Sequence, residues 1–211
     1  MTAVSRSERR LELVSTLLLA LATVATAWSA YQSREWTGEQ SLGTSHATAS
    51  RIAENRSAAL ANRQVQIDVA TFTQWLDARA AHDPELAAFY RTRFRAEFKP
   101  AFAAWLATSP FKSASAPPSP FDMPQYRLRA SAEATGLERA AAADSEQAKE
   151  ANEHADNYML AVVLFASALF FAGISTKLHT DSARRVVLGL GWLVFLGTAI
   201  WLATLPVQVT G

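Results

Sequence analysis

The sequence contains no cysteine. That excludes disulfides, thiol nucleophiles and cysteine-ligated zinc or iron–sulfur centres. It leaves the compartment open, because extracytoplasmic domains also fold without disulfides. Catalytic motifs are missing as well. There is no HExxH pair, EF-hand loop, GxGxxG turn, Walker loop or GxSxG elbow. Serines are numerous, yet no Ser–His–Asp arrangement can be read from them. His46, His82 and His179 are isolated in sequence. The formal net charge is only +1, and the charged middle of the chain is balanced, so no broad basic surface points to nucleic acid. No internal repeat and no strict heptad is visible.

What is present is apolar and unevenly placed. Half of the 211 residues are hydrophobic, and they concentrate in three runs with the charge between them. Leu11–Tyr31 reads LELVSTLLLALATVATAWSAY. At about 1.5 Å per residue it crosses a hydrocarbon core of roughly 30 Å. Trp28 and Tyr31 close it, as interfacial rings do. Tyr158–Ile174, extendable to Thr176, is the second run, and Val186–Leu205 the third, closed by Pro206. A cleaved signal peptide is the alternative for the first run, because Arg6, Arg9 and Arg10 would serve as its basic flank. The run exceeds the roughly 7–15 apolar residues of such a peptide, which favours a retained anchor.

Positive charge near the span ends sets the orientation. Arg6, Arg9 and Arg10 precede the first span, and Lys177, Arg184 and Arg185 lie between the second and third. Both segments belong on the cytoplasmic side. The expected map is a cytoplasmic N-terminus (1–10), transmembrane helix 1 (11–31), an extracytoplasmic helical domain (32–157), transmembrane helix 2 (158–176), a cytoplasmic loop (177–185), transmembrane helix 3 (186–205) and an extracytoplasmic tail (206–211). Apart from Glu12 at the edge of the first, the spans carry no acid, base or histidine, which argues against a proton relay or coupled transporter. Small residues line their faces: Ala22, Thr26 and Ala30 on the first, Ala161, Ala168, Ala172 and Ser175 on the second, Gly189 and Gly197 on the third. Such faces allow close packing within one chain or between subunits.

The domain between the first two spans is expected to be helical. A long helix over 44–81 follows from Ile52, Ala59, Val65, Val69, Phe72, Trp75 and Leu76 at near-helical spacing, with Gly38 and Gly43 weakening the chain just before it. Asp83 can cap and Pro84 begin a second helix over 84–108. Phe94, Phe98, Phe102 and Trp105 form an aromatic face there, and Pro100 should kink it. That face suits either core packing or a partner or lipid surface. Residues 109–125, SPFKSASAPPSPFDMPQ, read as a loop. A last helix covers 126–157 and enters the second span. The fold class is therefore an all-α integral membrane protein, with three transmembrane helices and a long antiparallel helical stalk outside the bilayer.

The most specific polar cluster is Asn152, His154, Asp156 and Asn157. It falls where the helix should enter the membrane, and an interface or ligand role fits it. Glu150 and His154 share a helical face, but two ligands do not make a metal site. No catalytic residue, metal or cofactor is assigned. The expected function is a non-enzymatic structural or accessory protein of a bacterial plasma (inner) membrane, with the bilayer and a protein partner or a second copy as its contacts. The alternatives are a subunit of an oligomeric channel and a membrane-bound enzyme working near His154 and Asp156.

Overall fold

The computed structural model describes residues 6–178 and 180–208. Residues 1–5, His179 and residues 209–211 lie outside the described residues, as do the side chains of Arg6 and its two successors. All described regular elements are helical: α1 (Arg6–Ala80), α2 (Pro84–Arg93), α3 (Lys99–Ala107), a 3₁₀ turn (Pro120–Asp122), α4 (Arg129–Ser175) and α5 (Asp181–Leu202). Three of them, α1, α4 and α5, are long and apolar enough to cross a membrane. The chain divides into two compact units, one formed by Met1–Ser45 with Asp144–Gly211, the other by His46–Ala143.

In the first unit the buried seam of α1 is mostly small or polar, with one leucine: Ser15, Leu18, Ala22, Ser29, Gln32 and Ser33. On α4 it runs Ala148, Ala151, Ala155, Tyr158, Ala161, Phe165, Ala168, Ala172 and Ser175. Those steps of three and four keep one stripe turned inward. The four small residues that the sequence marks on the second span are thus all buried. The third span differs from expectation. Gly189 and Gly197 are exposed, with nothing within 4 Å of an added Cβ, while Gly191 is buried, where a Cβ would stand 3.1 Å from Leu18 and 3.2 Å from Phe171. Leu18, Ala172 and Leu188 form a cluster beside it.

Gly38 and Gly43 do not interrupt α1, and they are not equivalent. A Cβ on Gly43 would lie 3.1 Å from the Ala148 Cβ and 3.2 Å from the Asp144 carbonyl oxygen, whereas one on Gly38 meets nothing within 4 Å. Glycine at 43 lets two backbones approach closely. At 38 it only adds backbone entropy to the unfolded chain. Gly38→Ala should therefore stabilise the protein by about 0.5–1 kcal/mol. Gly43→Leu should destabilise it by about 1–3 kcal/mol through overpacking. Thermal midpoints in one detergent check both, and equal shifts would refute the distinction.

The second unit is built on aromatic rings. Phe72 and Trp75 of α1 pack with Phe94, Phe98, Phe102 and Trp105. These last four, the face that sequence offers to a partner or to the core, are 3%, 0%, 3% and 3% exposed. They form the core itself. One helix over 84–108 is the sequence expectation; the chain forms two. Helix α2 starts as expected, with the Asp83 carboxylate accepting from the Leu86 N–H at 2.9 Å and Pro84 in the first turn. It ends at Arg93, and α3 restarts at Lys99 with Pro100 in its first turn. A proline there loses no hydrogen bond, whereas inside a continuous helix it would clash with the preceding turn. The break turns Phe94 and Phe98 inward together; their rings lie 5.0 Å apart, edge to face. The loop after α3 joins the core too. The Trp105 Nε1–H donates to the Pro117 carbonyl at 2.8 Å, and Phe121 stacks on Phe98 at 5.2 Å. Helix α4 begins at Arg129, three residues after the expected start at 126.

Candidate functional site

Two polar constellations stand out, one in each unit. In the second unit, Asp68 occupies a seam position of α1, one turn from Phe72, and is fully buried. A carboxylate at such a place needs partners. Arg95, in the turn that breaks α2 from α3, donates from Nη1 to Asp68 Oδ2 at 2.7 Å. The Tyr126 hydroxyl donates to the same oxygen at 3.1 Å. The other Nη of Arg95 pairs with Glu97, whose second oxygen accepts from the Arg129 backbone N–H at 3.2 Å, at the start of α4. One acid on α1 thereby ties down the α2–α3 turn, Tyr126 and the first turn of α4.

The electrostatics are those of a closed structural knot. Burial pushes the Asp68 carboxyl above the usual carboxylate range, and Arg95, Tyr126 and the bond to Arg95 pull it partway back. Burial, then the adjacent Asp68 charge, pushes the Tyr126 phenol up, so it remains a donor well into alkaline solution. Asp68 Oδ1 and the Gln64 Oε1 one turn earlier are buried without a hydrogen-bond partner. A carboxyl with a raised pKa suits proton transfer, but Asp68 is 0% exposed and lines none of the domain's described grooves.

The first unit carries its constellation at the ends of the apolar runs. Gln32, also fully buried, donates from Nε2 to the Gln208 carbonyl at 3.0 Å and accepts from the Gln208 N–H at 2.9 Å. That is the two-way pairing of one strand with another, made by a side chain. The Trp36 indole and the Tyr158 hydroxyl both donate to the Pro206 carbonyl, at 3.3 and 3.0 Å. Ser33 donates to the Ala155 carbonyl at 3.0 Å. Residues 32–36, 155–158 and 206–208 thus form one polar collar.

Of the cluster read from sequence, only part comes together. Asn152 donates to Asp156 at 3.1 Å on an exposed face. His154 faces away from them, its ring 4.5 Å from Trp36, and Asn157 is half-buried. Residues 152 and 156 share one side of the helix and 154 the other, so the four do not converge on a ligand. Among the described residues no group of three or more His, Asp or Glu could hold a metal ion. Sequence reasoning assigned no role to Gln32 and Asp68, took Tyr158 only as the start of the second run and left Arg95 on the surface of the second helix. For Gln32 and Asp68 the available signal was a polar residue standing where the period of three and four demands an apolar one. Comparison with protein-family models, with curated proteins and with solved structures gave no match to this chain.

Proposed function

We propose that the chain is a non-enzymatic accessory protein of a bacterial plasma membrane, spanning it three times and holding residues 46–143 outside as a helical docking domain for a partner protein. The observation that carries this reading is the polar collar. It joins the C-terminal end of the first apolar run, the N-terminal end of the second and the C-terminal end of the third, which is the pattern an up–down–up crossing requires. The apolar stretches of α1, α4 and α5 are only 22%, 33% and 22% buried within the protein. Leu13, Val24, Phe170, Val186, Leu193 and Ile200 are each more than 60% exposed. Surface of that kind belongs in lipid. The arginines and lysine that flank the runs support an extracytoplasmic side for the collar.

Two features favour an accessory role over the alternatives. The small-residue face of the second span, which would serve a ring of subunits, is occupied by the chain's own helices. The enzyme reading required His154 and Asp156 to converge, and they point to different sides. The test is photo-crosslinking in native membranes, with a photoreactive residue placed in turn at exposed Arg63, Ala88, Ala103 and Ser131. A discrete protein adduct from at least one position is the expected result. Adducts from none of them would contradict the docking role.

A further inference from the structure

Helix α2 contributes no buried residue to its own domain. A helix of 10 residues is too short to be stable alone in water; its cap and Pro84 hold its start. Its apolar side chains Leu86 and Phe89 are 40% and 46% exposed, and the Arg93 guanidinium lies 3.4 Å over the Phe89 ring. Next to it, between α2 and α3, runs a groove of about 510 Å³. Phe94, Phe102 and Leu106 floor it, and Arg91 and Lys99 stand on its edges with no acid in the lining. Both cations are exposed, and neither forms an ion pair among the described residues. Of the acids nearby, Glu97 pairs with Arg95 and Asp83 caps α2, while Glu85, in the first turn of α2, lies outside the lining.

We propose that this α2–α3 groove binds a segment of a partner protein that presents carboxylates beside apolar side chains. The inference rests on the docking role proposed above and names its surface and the chemistry of its partner. Charge complementarity selects the occupant, because two cations with no acid favour an anionic ligand and reject a basic one. The floor favours a peptide over a lipid. Phe94 and Phe102 are each 3% exposed, so the floor presents little apolar area, enough for short side chains and too little to hold an acyl chain. A full acyl chain would need a deep cavity. Arg91 is placed as an anchor that can take a carboxylate in two parallel bonds, and Lys99 as a second point charge.

The test pans a random peptide library against the full-length protein in nanodiscs and measures the enriched peptides individually. The expected result is a set carrying Asp or Glu next to Leu or Phe, which crosslinks to a photoreactive residue at Ala103. Affinity should fall at least about tenfold in R91E/K99E and stay unchanged in Arg139→Glu, a charge reversal elsewhere on the domain. Hydrogen exchange across residues 46–143 confirms that both variants keep the fold. Four results would overturn the inference: no enrichment, equal loss in Arg139→Glu, a crosslink from another face only, or displacement of the peptides by anionic phospholipid vesicles. Failure here with adducts at Arg63 or Ser131 in native membranes would remove the groove and leave the docking role standing. Failure at every position would remove both.

Discussion

Arg95→Met should raise hydrogen-exchange rates of the slowest amides in residues 46–143 by about a hundredfold or more, a loss of about 3–5 kcal/mol. The substitution keeps volume but leaves Asp68, 0% exposed, with only the Tyr126 hydroxyl as partner. It also frees Glu97 from the side that orients it toward the first turn of α4. Asp68→Asn should be milder, about 1–2 kcal/mol, because the amide oxygen still accepts and no buried charge remains. The ordering matters more than the sizes. A surface-type ion pair would make both changes nearly silent.

The same pair sets a pH dependence. The folded Asp68 carboxyl takes up its proton more readily than the unfolded chain does, because burial raises its pKa above the ordinary 3.8. Its contribution to stability is therefore full below that ordinary value and is lost as pH rises through the raised folded value. Stability of the domain should fall across this window in the parent protein, and Asp68→Asn should remove that component. A rise in stability over the same window, abolished by the same substitution, would mean that Arg95 outweighs burial.

Phe98→Ala should cost the domain about 3–5 kcal/mol, comparable to Arg95→Met but without any pH component. The Phe98 ring is 0% exposed and meets Phe72, Phe94, Phe102, Phe121 and Tyr126. It joins α1, the α2–α3 break and the loop with its 3₁₀ turn, so its loss opens a cavity that no single neighbour can fill. Phe89→Ala, on the exposed face of α2, should change stability by less than about 0.5 kcal/mol. Equal effects at 89 and 98 would mean that α2 is buried in solution. Exchange measurements on the two variants separate these outcomes.

The contrast between those rings shows what sequence could and could not yield. Local signals placed the three apolar runs (hydropathy), the Asp83–Pro84 start (capping chemistry) and the proline-rich loop (composition). The aromatic period was legible, but not its division into two helices, since the break serves Arg95, whose partner Asp68 lies 27 residues away. Tyr126 is 58 residues from Asp68, and Gln32 is 176 from Gln208; no local period records such pairs. The seam between α1 and α4 was legible within the spans, as small-residue faces, but not in its extension beyond them. There it is mostly alanine and glycine, such as Gly43 against Ala148, and these give little hydropathy contrast with the exposed face. A heptad search keyed to leucine does not register it.

Topology is the claim on which the rest depends, and the absence of cysteine makes it directly measurable. Single cysteines at Ser131 and Ser182, both exposed, are introduced one at a time and treated in intact spheroplasts with a membrane-impermeant maleimide. Labelling of the cysteine at 131 from outside, with the one at 182 reacting only after permeabilisation, is the predicted result. Labelling at 182 from outside, or of both from one side, would contradict the three-span account and with it the placement of the docking domain.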